Sequence, residues 1–596
     1  MVVPHHPEKP MAYALGYLGG YVDLAEVAGA AGVEFYGAQP VGALAFIVPL
    51  LRRWGLRELI DELHPTGSPV SHGQIVEILI ANRLTDPEAL YRIVDWAKAY
   101  DTQRWFGVAA AALTDDRIGE TLDVVGPDMD GLHAQWSAQV IAGCGVSLRQ
   151  IYYDLTSLLF YTKEDTPEKD AHAEPPAVRV VRGHSRDHRP ELRQVVVGAS
   201  AAADGLLPLL HQTHDGNTAD TPTVLDHLAE MKKQFGKLLG VEEVLVAGDS
   251  KLLSVDVMQT LMAPSKPGTA EVRMDFIAPS TRSGHWAKRL AAAVAARGRG
   301  EWVAAAYQSV RTQLELEVVQ PRRAAPFVAP VYEVWESEAV LKNKKGVRVT
   351  VREVFVYDSG KAAQDRGLRE RALAAVEQAL AKLRPKLGKY KYKTKAAIAE
   401  KVKQILNKQP LAKRYLSVSV RRRRGAWEIV VRGQEPALAQ AAQEDGIYSL
   451  LTSKSAVAMD GNAVLCAFKD ETRVERRWAE FKGPLRVRPV FVRTPVRIVA
   501  LVGIIMMAMV LWAAVERQCR QGEARWKGRT LKPITAQQIW RRFKHFGGQV
   551  VQLVDKAGKV LQQYFVLNAL SYAQEQVLSW LGLGEADIGA VLVGTG

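Results

Sequence analysis

The chain has 596 residues but only three cysteines, Cys144, Cys466 and Cys519, with no close spacing among them. That excludes a disulfide scaffold and any thiolate zinc cluster, and it fits a reducing, cytoplasmic setting. The first twenty residues lack a basic segment followed by a continuous apolar stretch, so no secretory signal is read there. Long hydrophobic runs are scarce as well. The exception is 498–515 (IVALVGIIMMAMVLWAAV), 18 uncharged residues, which reaches the usual length of a membrane span. It follows a run that already reads as core and no second span accompanies it, so the expectation is a buried helix and no membrane partner. No internal repeat is evident.

Acidic residues are nearly missing from one stretch. Residues 380–432 hold 17 Lys+Arg and 2 Asp+Glu, within a chain of net charge +14. Residues 1–150 show the opposite bias, with 10 basic against 18 acidic residues. A basic block of that density suits a polyanion backbone, with binding that falls steeply with salt, although a solvated surface has the same composition. The grips expected by position are Arg421, Arg422, Arg423 and Arg424 in RRRRG, and Lys389, Lys391 and Lys393 in KYKYKTK, where tyrosines interleave with lysines.

What is present divides the chain into more than one core, as its length requires. Residues 1–40 are Gly/Ala-rich and weakly patterned. Residues 41–150 read as a helical domain, for DNA binding or dimerisation, with Ser71 and Asp86-Pro87 as helix starts. Residues 151–285 follow a different order. They run from a strand (IYYDLTSLLF) to a hairpin around Asp204-Gly205, then a helix over 221–236 stopped by Gly236, then the buried strand VEEVLVAGD. This predicts the first part of an RNase H-like α/β core. A basic α+β insertion is expected over 286–435, the rest of the core over 436–520, and a helical tail over 521–596. The fold class is thus α/β, an RNase H-like mixed sheet flanked by helices, interrupted by the insertion and preceded by the helical domain.

Three carboxylates stand where such a fold places catalytic groups. Asp154 lies in the first strand, Asp249 ends the buried strand, and Glu475 sits in the helical run FKDETRVERRWAEFK. Converging at a sheet edge, they could hold two Mg²⁺ ions that clamp the attacking and leaving oxygens of a phosphodiester. Lys482, two helical turns beyond Glu475, would meet a phosphate, and Lys251, two residues past Asp249, could also reach DNA. Each carboxylate alone has a plainer reading as a turn, cap or solvated residue. Their joint pattern carries the expectation.

The segments YDLTSLLF, RGHSRDHRPELRQVVVGA, HDGNTADTPTVLDHL, VLVAGDSKLLS and FKDETRVERRWAEFKGPLRVRPVFV make the resemblance specific. Over about 40–520 the chain resembles insertion-sequence DDE transposases of the Y-R-E-K signature group. The resemblance implies catalytic and metal-binding roles for Asp154, Asp249 and Glu475, with Mg²⁺ as cofactor and Mn²⁺ able to substitute. It implies cutting at terminal inverted repeats, joining of the freed 3′-OH to target DNA, and a homodimer on paired DNA ends. Lys482 matches the signature lysine. The signature tyrosine falls on Phe468 and the arginine on Glu471, with Arg473 nearby as a substitute. Two other readings stay open: a catalytically decayed, transposase-derived DNA-binding protein, and an RNase H-like host nuclease.

Overall fold

The computed structural model describes residues 32–160, 165, 178–184, 189–239, 242–263, 272–282, 285–309, 312–313, 328–343, 345–470, 477–478, 480, 494–528 and 532–593. The strands are β1 (Gly32–Pro40), β2 (Gln150–Phe160), β3 (Val181–Arg182), β4 (Arg193–Ala202), β5 (Pro208–Asp215), β6 (Glu243–Gly248) and β7 (Arg273–Pro279). They continue with β8 (Val303–Ala305), β9 (Tyr332–Lys342), β10 (Arg348–Asp358), β11 (Leu416–Arg423), β12 (Ala426–Gly433), β13 (Ile447–Thr452), β14 (Gly547–Val554) and β15 (Val560–Leu567). Two compact units divide the chain, residues 1–275 with 470–596, and residues 276–469. The boundary falls within β7. Each unit is mixed α/β.

In the first unit β2 lies between β4, antiparallel to it, and β6, parallel to it. β5 pairs with the outer edge of β4 and β7 neighbours β6, giving the order β5-β4-β2-β6-β7. The expected hairpin is present, its turn held by Asp204, whose carboxylate takes the Arg517 guanidinium at 2.6 and 2.8 Å. The helix after β5 is Asp220–Leu239, so Gly236 does not stop it. A glycine inside a helix costs about 1 kcal/mol, and the chain carries that cost rather than ending there. Its inward face is Val224, His227, Leu228 and Met231, at helical spacing, whereas Leu225 is only half-buried.

The stretch ahead of β2 is helical, as expected. Ser71 caps the helix His72–Leu84 through a capping box with Gln74, the two bonds being 3.1 and 2.8 Å. Asp86-Pro87 opens no helix. Asn82 Nδ2 donates to the Asp86 carbonyl (3.1 Å) and Arg83 to the Glu88 carbonyl (2.9 Å), which holds that segment out of helical register until Leu90.

The apolar run is the spine of this unit. Helix Pro495–Lys527 is long and apolar enough to cross a membrane, yet 94% of its most apolar window is buried in protein. It packs on the helices Met129–Cys144, His72–Leu84 and Asp115–Val125 and on β5. A side chain on Gly503 would overlap Met129, so glycine sets this close crossing. The region beyond 521, expected to be helical, contains the β14–β15 hairpin, which pairs with β1 in a three-stranded sheet. The β-branched and aromatic residues of GGQVVQLV and VLQQYFVL suit a strand rather than a helix.

The second unit holds β8, β9, β10 and β13 and the end of β7, in the order β7-β13-β10-β9-β8. Glu353 on β10 is fully buried and accepts from Arg289 Nε (2.7 Å) and Ser449 Oγ (2.6 Å), so its charge is matched. The basic stretch forms a separate helix–helix–hairpin cluster within this unit. Val376, Leu380, Ile398, Val402, Val420 and Ile429 make its core.

Candidate active site

Asp154 lies on the central strand of the first unit. Along β2 every residue from Ile151 to Phe160 is buried except Asp154. Strand β6 is buried from Val244 to Gly248, and burial relaxes at Asp249 and Ser250. The parallel register pairs Tyr152 with Ala247 and Tyr153 with Gly248. Asp154 and Asp249 each follow the last of these pairs by one residue, Asp154 still within β2 and Asp249 just past the end of β6. Two acids remote in sequence thus stand where burial relaxes on neighbouring strands, near the C-terminal end of β6, where open α/β sheets commonly place ligands.

Local structure fixes the pair. On the other side of Asp154 the register partner on β4 is Ala199, whose methyl leaves room. Asp154 Oδ1 accepts from the Leu155 amide (2.7 Å), and the Asp249 carbonyl accepts from Leu252 N (3.2 Å), turning the chain away. Gly248 lets the strands close up. A Cβ there would lie 2.9 Å from the Tyr153 carbonyl oxygen and 2.9 Å from Leu252 Cδ1.

Glu475, Arg473 and Lys482 lie outside the described residues, as does Glu471. Arg477 and Trp478, just past Glu475, are described and buried. Arg477 donates to the Glu516 carboxylate (2.8 Å) and to the Gly205 carbonyl (3.1 Å), which ties this stretch to the β4–β5 turn and the apolar helix. Lys251 falls in the short turn Ser250–Leu253. Phe468 is half-buried in the helix Gly461–Lys469. Among the described residues no group of three His, Cys, Asp or Glu side chains is placed to hold a metal. Asp154 and Asp249 are the members of the expected donor set that lie among the described residues, on neighbouring segments, and hard oxygen donors of this kind suit Mg²⁺.

The other predicted contacts lie in the second unit. Arg421, Arg422, Arg423 and Arg424 are exposed at the end of the β11–β12 hairpin, and Lys389, Lys391 and Lys393 are exposed on the loop before the helix Lys395–Asn407. These two groups, 28 or more residues apart in sequence, meet on one side of the cluster, because Trp427 Nε1 donates to the Lys393 carbonyl (3.0 Å).

A set of buried polar groups close to β2 was not anticipated. His133, His211 and His227 are fully buried, and the His133 and His211 rings stand 4.7 Å apart, edge to face. The His227 ring lies 4.7 Å from that of Tyr153, the residue before Asp154. Burial pushes His211 and His227 down to about 3 and raises Asp130 to about 7, so all are neutral near neutral pH or close to it. The helical spacing of His133 and His227 with apolar neighbours hinted at this, though histidine alone does not distinguish core from surface.

A protein family described as a domain of unknown function (DUF4277) matches residues 38–131, within the helical stretch ahead of β2. No curated protein sequence matches the chain. Among solved structures, the chain is similar to a piggyBac transposase synaptic complex with hairpin DNA. The identity there is 8% and the TM-score 0.31, with 85% of this chain and 82% of that chain covered. It is also similar to a Mos1 transposase paired-end complex with the left transposon end, at 11% identity and TM-score 0.14, with coverage of 33% and 58%.

Proposed function

We propose that the chain is a DDE-type DNA transposase with an RNase H-like core, cutting at the terminal repeats of an insertion sequence and joining the 3′ ends to target DNA. The observation that carries this reading is the register of β2 and β6, whose last pair, Tyr153 with Gly248, is followed on each chain segment by an aspartate, Asp154 and Asp249. The order β5-β4-β2-β6-β7, with β2 and β6 parallel and the β4 and β5 neighbours antiparallel, supports the RNase H-like assignment.

Asp154 and Asp249 would hold the cation from adjacent strands, with Glu475 completing the set. Bound Mg²⁺, or Mn²⁺ in its place, would neutralise charge on the phosphodiester and acidify the attacking water. Two carboxylates sharing one site would repel one another as anions, so such a pair would favour a divalent cation over none. Lys482, Arg473 and Lys251 would position the scissile phosphates. The exposed lysines and arginines of the second unit would hold the flanking DNA. A homodimer acting in the cytoplasm belongs to the same proposal, with Cys144, Cys466 and Cys519 all free thiols.

The test is cleavage of a labelled duplex carrying the DNA that flanks this gene, beside a scrambled duplex and the Asp249→Ala variant. Mg²⁺-dependent cutting at one defined end, lost in the variant, is the expected result. Binding without cutting under any divalent metal would support the second reading, a decayed DNA-binding protein, which Phe468 and Glu471 favour. Cutting without preference for the flanking duplex would point to a host nuclease.

A further inference from the structure

The β11–β12 hairpin overhangs its own core. Its last buried cross-strand pair is Val420 with Ile429, and every residue from Arg421 to Ala426 is exposed. Trp427, opposite Arg422, still packs on the cluster, and beyond it the Arg423–Ala426 pair and the turn project into solvent. The turn has two central residues, Arg424 and Gly425, with φ +48° and +83°, the geometry of a type I′ turn. Asparagine, aspartate or glycine fits the first of these positions, and an arginine there is strained. Among the described residues no ion pair involves Arg424, whereas Arg421 is matched by Glu428 at 2.9 Å. The loop latched by Trp427 repeats the pattern. Tyr390 has φ +51° and is 78% exposed, between Lys389 and Lys391. Backbone strain in exposed residues, held in place by a packed scaffold, marks segments built to meet a ligand.

We propose that this hairpin tip is a minor-groove probe for duplex DNA, with Arg424 entering the groove while the latched lysines grip phosphates beside it. The inference rests on the reading of the chain as a DNA-acting protein and names how the second unit engages that DNA. A narrow A·T-rich minor groove concentrates negative potential and draws in arginine side chains. The shallow minor groove of duplex RNA offers no such focus. Beside the arginines the tip exposes only Gly425 and Ala426, too little apolar surface for insertion into lipid.

The test uses the full chain and measures binding alone, in the absence of divalent metal, on an A·T-rich duplex. Arg424→Asn creates the preferred Asn-Gly turn, so its melting temperature should equal or exceed that of the parent chain. Its affinity should nevertheless fall about 5- to 10-fold, with the salt slope shallower by about one ion. Arg424→Lys keeps the charge and should lose the preference for A·T-rich over G·C-rich duplex. Netropsin, a minor-groove ligand, should compete with the parent chain. Unchanged affinity and slope in Arg424→Asn, indifference to netropsin, or equal binding to duplex RNA or phosphatidylserine vesicles would each overturn the proposal. A lower melting temperature in Arg424→Asn would remove the strain argument and overturn it as well. Because no cleavage is measured, failure here leaves the carboxylate pair standing, and an inactive carboxylate pair leaves this test intact.

Discussion

Replacing Gly248 by alanine probes the spacing of the candidate site without touching a carboxylate. The added methyl would stand 2.9 Å from the Tyr153 carbonyl oxygen and 2.9 Å from Leu252 Cδ1. Leu252 can rotate, but the carbonyl belongs to a strand paired on both sides. Relief needs β2 and β6 to part by roughly 0.5 Å, since ordinary carbon–oxygen contact begins near 3.4 Å. Overpacking of this kind costs about 1–3 kcal/mol, offset by about 0.4–1 kcal/mol from a stiffer unfolded chain. The protein should therefore fold, with a melting temperature lowered by a few degrees. The strain falls one residue before both Asp154 and Asp249. Catalytic groups need placement within about 0.5 Å, and a displacement near 1 Å can cost about 100-fold in rate. Mg²⁺-dependent cleavage should drop 10- to 100-fold while circular dichroism stays native. Gly131→Ala is the control. It lies in the helix Met129–Cys144 with nothing within 4 Å of a new Cβ, and should stabilise slightly without altering cleavage. Parental cleavage by Gly248→Ala would refute the claim that β2–β6 spacing sets the site.

Other consequences follow from buried charge. Glu516, 1% exposed, accepts from Arg477 (2.8 Å), Arg520 (2.7 Å) and the Ala536 amide (3.2 Å). Glu516→Ala should cost about 1–3 kcal/mol in urea unfolding, since it leaves the Ala536 amide and part of two guanidinium groups unmatched while Arg477 keeps the Glu480 carboxylate; no measurable loss would contradict this packing. Acid should destabilise the first unit. His133, His211 and His227 have folded pKa values below the unfolded value, so their contribution is complete above about pH 6.5 and is lost as pH falls. Asp130, raised to about 7, acts in the opposite direction over the same window. His72 and His214 are lowered as well and Glu77 is raised, so the depressed imidazoles outnumber the raised carboxyls and the net direction is a loss of stability as pH falls below about 6.5. A melting temperature flat from pH 7 to 5.5 would count against the buried, neutral imidazoles.

The strands that build the candidate site were legible because their patterns are local. IYYDLTSLLF is an apolar run broken by one acid, VEEVLVAGD carries an apolar stretch that ends on Asp249, and the Asp204-Gly205 turn announces the hairpin. Their parallel register was not legible, since pairing depends on the crossover helix between β5 and β6 rather than on either strand. The β14–β15 hairpin escaped notice because glutamines interrupt its alternation, while β1, its partner, comes from the other end of the chain. Gly236 misled for another reason: a helix supported by Val224, His227, Leu228 and Met231 on the sheet tolerates one poor residue. The meeting of KYKYKTK with RRRRG hangs on a single indole bond from Trp427, which no spacing rule anticipates.

The central claim is that Asp154 and Asp249 act together on one divalent cation. Mn²⁺ titration followed by electron paramagnetic resonance, on the parent chain, Asp154→Asn, Asp249→Asn and the double variant, tests it directly. The account predicts that either single substitution removes the same binding event and that the double variant is no worse than either. Parental Mn²⁺ binding in both single variants, or losses that add independently, would contradict it.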